Sequence, residues 1–337
     1  MKNRNLCIFV IILFIGSYCF AADVKNLIPT AEKIVSDGLK SPDARIKSNA
    51  IEAASSTGQV QFAPKIADLL KDSAVLVRFA SALAIGDLQY KTSGRTLRNL
   101  LNDPDLNVRI AAAYALCKFG ERQYLSVIQA SANQDDSDIK THAAMLLGKL
   151  KSTESLPILY KLKDDPNSDK NVSIYAAEAI ARIGDEKIYP KLWAMLISAY
   201  ADDRYMGVCA MGALGGTKGT NALLTMLEDE IPEVRLSAAE QLGSLGDPSG
   251  TMVVLEYLTN IEQKDKKTEP KDEKADPKDE KRTTDTRDAI AAMAIGQIGD
   301  ARLIEYLPKL LKSDSPSVRL AASKSVFIIA AKSPKLP

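Results

Sequence analysis

Proton transfer and thiol chemistry need a few residue types held close together, and this chain is sparing with them. It has one histidine, His142, and four cysteines, Cys7, Cys19, Cys117 and Cys209. A zinc site needs more ligands than one histidine supplies. A Ser–His–Asp or Cys–His arrangement needs a partner beside His142. Cys117 lies one sequence unit earlier, on the apolar side of its helix, whereas His142 points to the open side. Gly215-Gly216-Thr217-Lys218-Gly219 has the composition of a phosphate loop without its spacing, and it follows a helix rather than a strand, so it is a helix–helix turn. Asn171-Val172-Ser173 is a glycosylation-type sequon, relevant only in a eukaryotic secretory pathway. These residues assign no catalytic group, no metal and no cofactor.

The residue that recurs on a pattern is arginine. Val77-Arg78, Val108-Arg109, Val234-Arg235 and Val318-Arg319 each open an apolar, alanine-rich string, most fully in Val234–Asp247. Looser copies begin at Ile139-Lys140, Val172-Ser173 and Asp203-Arg204. The second position falls at 45, 78, 109, 140, 173, 204, 235, 288 and 319. The steps are 31 or 33 residues except the one before 288, which is an ordinary period carrying an insertion. A period in this range marks a solenoid, in which each unit buries its apolar face on its neighbours.

Each unit carries a first helix with paired leucines, such as Leu97, Leu100 and Leu101, and a second helix opened by the Val-Arg pair. Gly120, Gly184, Gly246 and Gly299 stand where helices end. Numbering each second helix from its arginine, offset 3 is always small: Ser81, Ala112, Ala143, Ala176, Gly207, Ala238, Ala291 and Ala322. This row is predicted core, where small side chains let helices approach. About nine helix pairs are expected, forming an all-α superhelix.

The two-helix unit resembles the HEAT repeat, in the short form also found in bilin-lyase-like proteins, on the V-R-x-x-A-A-x-x-L-G-x-L-G-D string at Val234–Asp247 and its relatives. The resemblance implies a binding scaffold or adaptor, with a lyase-like enzyme acting on a chromophore or metabolite as the alternative. A single histidine argues against the HEAT-like iron hydroxylases. The resemblance also implies an Asp–Arg ladder linking adjacent repeats, carried here by Asp72 and Arg78, Asp103 and Arg109, and Asp229 and Arg235.

Offsets 2, 5 and 9 are left for the concave face. At its centre they bring Tyr114, Lys118, His142, Met145, Lys149, Tyr175, Arg182 and Met206, types enriched in protein interfaces. An open inner groove holding a protein or peptide is the functional expectation.

The N-terminus has a basic start (Lys2, Arg4), an apolar run from Leu6 to Ile15, and a small-residue site at Ala21. This is the pattern of a secretory signal peptide over residues 1–21. An uncleaved membrane anchor is the alternative; a lipid-modified Cys19 is disfavoured by the bulky Tyr18 before it. Export to a periplasmic or external space follows. Cys117 and Cys209, three units apart, should lie roughly 25–30 Å from each other at usual helix spacings, too far to pair. The net charge of +1 gives no field for nucleic acid or anionic lipid. Repeats 1–7 and the first helix of repeat 8 occupy 24–261, a disordered charged insertion 262–286, and the remaining repeats 287–334. The insertion nearly duplicates seven residues, Glu269–Ala275 and Asp276–Arg282, with nothing apolar enough to offset its ordering.

Overall fold

The computed structural model describes residues 24–266 and 277–332, with side chains at 24–261 and 281–332. The signal-peptide segment lies outside the described residues. Helices account for nearly all the regular structure. The first helices are α1 (24–38), α3 (Ala63–Asp68), α5 (Gly94–Leu100), α7 (Leu125–Ser131), α9 (Leu156–Asp164), α11 (Tyr189–Leu196), α13 (Gly216–Thr225) and α15 (Thr251–Lys266), followed by the short pair α17 (Ala301–Ile304) and α18 (Leu307–Leu310). The second helices are α2 (Ala44–Ser56), α4 (Val75–Asp87), α6 (Leu106–Lys118), α8 (Ser137–Lys149), α10 (Lys170–Ile183), α12 (Ala201–Leu214), α14 (Pro232–Ser244), α16 (Pro277–Ile298) and α19 (Pro316–Lys332). They make nine hairpins among the described residues.

Local chemistry sets the ends. Aspartates cap second helices: the Asp43 carboxylate accepts from Arg45 N and Ile46 N, and Asp105 accepts from Asn107 N and Val108 N. Beyond most second helices the chain turns through a left-handed residue. Glycine supplies it at Gly120, Gly184, Gly246 and Gly299, but Gln89 (φ 56°) and Lys151 (φ 51°) fill the same role in two copies. A single 3-10 turn then leads into most first helices, as at Val60–Phe62, Lys91–Ser93, Arg122–Tyr124 and Thr153–Ser155.

The offset-3 row is buried in every copy. A second small position, not singled out by the sequence reading, sets helix spacing. A Cβ on Gly86 would lie 2.7 Å from Ala115 Cα, one on Gly148 2.7 Å from Ala179 Cα, and one on Gly296 2.6 Å from Ser325 Cα. Each is an offset-8 glycine against an offset-6 alanine or serine of the next second helix. In α6 that glycine is Cys117, and the facing offset-6 position in α8 is Leu146. α6 and α8 are accordingly packed more sparsely than α4 and α6 or α8 and α10.

Second helices pack on one another around the array, while first helices pack mainly on their own partner, so the second helices form the inner layer. That layer closes. α19 packs on α2; a Cβ on Gly38, at the end of α1, would lie 3.6 Å from Leu320; and Lys324 donates to both carboxylate oxygens of Glu52 at 2.9 and 3.0 Å. One continuous core joins residues from the first and last hairpins. The expectation of an open groove is corrected: the turn per hairpin is large enough for nine units to meet end to end.

An ion pair between the first two hairpins corrects the register of the first copy. Lys47, not Arg45, stands where later copies carry arginine, because Lys47 Nζ takes Asp72 at 2.7 Å as Arg78 takes Asp103. The expected insertion is shorter than 262–286. Residues 262–266 extend α15 and 277–286 belong to α16; the remaining 267–276 lie outside the described residues. Glu, Lys and Arg are good helix formers and extend a helix already nucleated on a packed segment, and Pro277 opens α16 where proline is accommodated.

Candidate functional site: the inner face and the ladder

Arg78 and Arg204 each sit at the start of a second helix, where the guanidinium reaches two places. The Nη1 group donates to carbonyls of its own turn: Arg78 to Asp72 O at 2.9 Å and Ser73 O at 3.1 Å, Arg204 to Ser198 O at 3.0 Å and Ala199 O at 3.3 Å. Nε and Nη2 form a fork for the aspartate of the following hairpin. Arg78 holds Asp103 at 2.9 and 2.9 Å, and Arg204 holds Asp229 at 2.7 and 3.1 Å. Burial works against ionising Asp103, yet hydrogen bonds from Arg78 and from the Asp105 N–H, with the Arg78 and Arg109 charges, keep its carboxyl below the usual range.

The residues grouped by sequence as Asp72–Arg78, Asp103–Arg109 and Asp229–Arg235 are therefore joined within a pair only through the aspartate's main-chain carbonyl. Their carboxylates serve the preceding hairpin: Asp72 goes to Lys47, Asp103 to Arg78 and Asp229 to Arg204. Lys47 and Arg204 are the members that sequence reasoning missed; the 25-residue spacing shared by all three links was the available signal.

Of the eight residues expected on an open inner face, five are engaged by neighbouring inner side chains. Tyr114 is 1% exposed, and its hydroxyl donates to Asp87. Burial first, and then the Asp87 charge, push the Tyr114 phenol far above its ordinary value. Lys149 reaches the same Asp87 at 3.0 Å and Lys118 at 4.0 Å, with Lys149 Nζ 5.8 Å from the Tyr114 ring centre. Arg182 pairs with Glu178 at 2.6 Å. His142 donates from Nδ1 to Asn107 Oδ1 at 2.8 Å and lies against the Phe79 ring at 4.8 Å. Burial holds its imidazole below the ordinary value, so the ring is neutral at pH 7. Met145, Tyr175 and Met206 are half-buried. Tyr114 is thus corrected from groove surface to buried network: tight curvature carries it onto Asp87 of α4, one hairpin back, and carries Lys149 onto the same residue from two hairpins away.

The inner layer also holds two further polar centres. Cys209 Sγ lies 3.8 Å from Ser237 Oγ, and burial raises its thiol to about 12; Cys117 is raised to about 11, again by burial. Both are free thiols, protonated at neutral pH. Glu240 is 8% exposed near the seam, and its carboxyl is pushed up to about 7 by burial, with Lys324 lowering it and Glu52 raising it further. Among the described residues no group of three His, Cys, Asp or Glu side chains converges as a metal site would require, and no helix is long and apolar enough to cross a membrane.

Models of HEAT repeats match residues 63–144, 127–209 and 220–247, just over half of the chain. The chain is a HEAT-repeat protein. No curated protein matches it. Among solved structures, this HEAT array is similar to a chain of the CpcE–CpcF phycocyanin lyase complex from Nostoc sp. PCC7120, at 17% identity and TM-score 0.43 over 79% of this chain and 94% of that one. It is similar to human deoxyhypusine hydroxylase at 15% identity and TM-score 0.38, covering 82% and 99% of the two chains. The E. coli protein YibA matches at 19% identity and TM-score 0.36, over 80% and 95%.

Proposed function

We propose that this HEAT ring is an exported, non-enzymatic scaffold that binds a protein. The observation that carries the reading is an exposed apolar surface on the outer layer. Trp193, the one tryptophan in the chain, is 37% exposed, Ile197 68% and Tyr200 70%. Tyr189 stacks on Trp193 at 6.3 Å, and Lys170 lies 5.1 Å over the Tyr200 ring. Large aromatic side chains held half out of the protein, rimmed by lysine, are the kind of group that dominates protein interfaces. The partner surface therefore moves from the inner curve, whose charged and aromatic groups pair among themselves, to α11 and the turn after it. The non-enzymatic reading is supported by the state of the candidate groups: His142 is engaged with Asn107 and Phe79, and the two thiols are held protonated. Export rests on the basic and apolar pattern of residues 1–21.

The test is capture of a partner from the native envelope by the chain lacking residues 1–21, then titration of that partner against the purified protein. The single tryptophan reports directly: its emission is expected to shift to the blue as Trp193 is covered. A Trp193→Ala, Tyr200→Ala double variant with an unchanged helical spectrum is expected to lose capture. Undiminished capture by that variant removes this surface from the reading.

A further inference from the structure

Three ladder rungs share one construction, a cation joined to an aspartate 25 residues on, in the turn between the two helices of the next hairpin. Arg235 reproduces half of it. Its Nη1 donates to Asp229 O at 2.5 Å and Glu230 O at 3.1 Å, as Arg78 and Arg204 do to their own carbonyls. The other half is missing. The position 25 residues on is Asn260, and α15 continues through it to Lys266 instead of turning. Among the described residues no carboxylate takes Nε or Nη2 of Arg235. In place of the rung is a cavity of about 730 Å³ that Arg235 and Asn260 both line. That is within the size range of a small-ligand pocket, enough for one or two side chains.

We propose that this cavity binds an acidic side chain of a partner's extended peptide, its carboxylate seated on the Arg235 fork as Asp103 is on Arg78. A bidentate guanidinium–carboxylate pair is the contact this scaffold already builds elsewhere, so the recognition chemistry is present in the same molecule. The walls define the neighbours. Leu227, Pro232, Tyr257 and Ile261 offer apolar surface for one flanking residue. Asp229 and Glu230 are engaged by Arg204, which leaves Glu228 and Glu256 as exposed acidic groups on the rim. They select a basic residue on the other flank. The site stands apart from the Trp193 surface and does not depend on it.

Calorimetric titration of the whole chain with the blocked peptide Ac-Leu-Asp-Lys-NH2 tests the assignment. Its asparagine counterpart, and Ac-Leu-Lys ending in a free carboxylate, are the comparison arms. Binding of the aspartyl peptide is expected, weakened about tenfold or more by the asparagine exchange or by Arg235→Gln. Asn260→Asp restores the missing rung from within; it is expected to block the peptide to the same extent, and it keeps the test decisive if Arg235→Gln fails to fold. Equal binding of the asparagine peptide, undiminished binding by Asn260→Asp, or no binding of the aspartyl peptide overturns the proposal. Tighter, Arg235-dependent binding of the free-carboxylate peptide overturns the side-chain assignment in favour of a chain terminus.

Discussion

Replacing Glu240 with glutamine should stabilise the ring at alkaline pH and leave it unchanged in acid. Burial is the main cause of the raised carboxyl, pushed to about 7; of the charges facing it, Lys324 on α19 favours ionisation and Glu52 on α2 opposes it. In the unfolded chain a glutamate titrates near 4.3. A carboxyl whose folded value is raised is neutral at no cost below the unfolded value. Between the two values the folded state must hold a proton the unfolded state has released, or ionise in a dry site. Stability is thus fully present below about pH 4 and falls as pH rises towards about 7, by about 3–4 kcal/mol in all. Glutamine keeps the shape and lacks the titration. At pH 8 the variant should therefore exceed the parent by about 2–3 kcal/mol, some of the gain being lost to imperfect amide contacts. For 337 residues this is a rise of about 3–4 °C in midpoint, from the usual unfolding entropy per residue. Thermal melts of both proteins at pH 4, 6 and 8 measure it, and the difference between them cancels every other titrating group. A gain of equal size at pH 4 and pH 8, or a loss at pH 8, refutes the reasoning.

Other outcomes follow from single contacts. Ser81 is fully buried and its hydroxyl has no partner among the described residues, so Ser81→Ala should gain about 1 kcal/mol in urea titration. Arg204→Ala strands the Asp229 carboxylate, 7% exposed, and should cost about 3–5 kcal/mol, whereas Arg122→Ala breaks a pair exposed at 81% and 54% and should change stability by less than about 1 kcal/mol. Lys151 is exposed and holds a left-handed backbone, so Lys151→Gly should raise the thermal midpoint, the relieved strain exceeding the added chain entropy by about 0.5–1 kcal/mol.

What the sequence discloses is whatever repeats at short range. The 31-residue period, the small row from Ser81 to Ala322 and the terminal glycines each report on one hairpin and its immediate neighbour, and helix periodicity makes them visible. The ladder was half visible. Asp72 and Arg78 stand six apart in the chain and invite pairing, but a helix start aims the guanidinium forward, at the carboxylate of the next turn. Lys47 was hidden because its copy begins with Arg45, two residues early, and only the contact to Asp72 separates them. Closure and the burial of Tyr114 were beyond local pattern. They depend on rotations accumulated over nine hairpins, several of them set by how near an offset-8 glycine such as Gly86, Gly148 or Gly296 lets its neighbour come.

An open solenoid can gain or lose a unit during evolution at the expense of one interface, because its ends are free to shift. Here the seam of Gly38, Leu320, Glu52 and Lys324 removes that freedom. One hairpin more or fewer would have to be absorbed by every other angle in the circle, against glycine contacts with no slack. Variation in chain length is therefore channelled into the segments between helices, as in the stretch after Lys266 that separates α15 from α16 in the sequence.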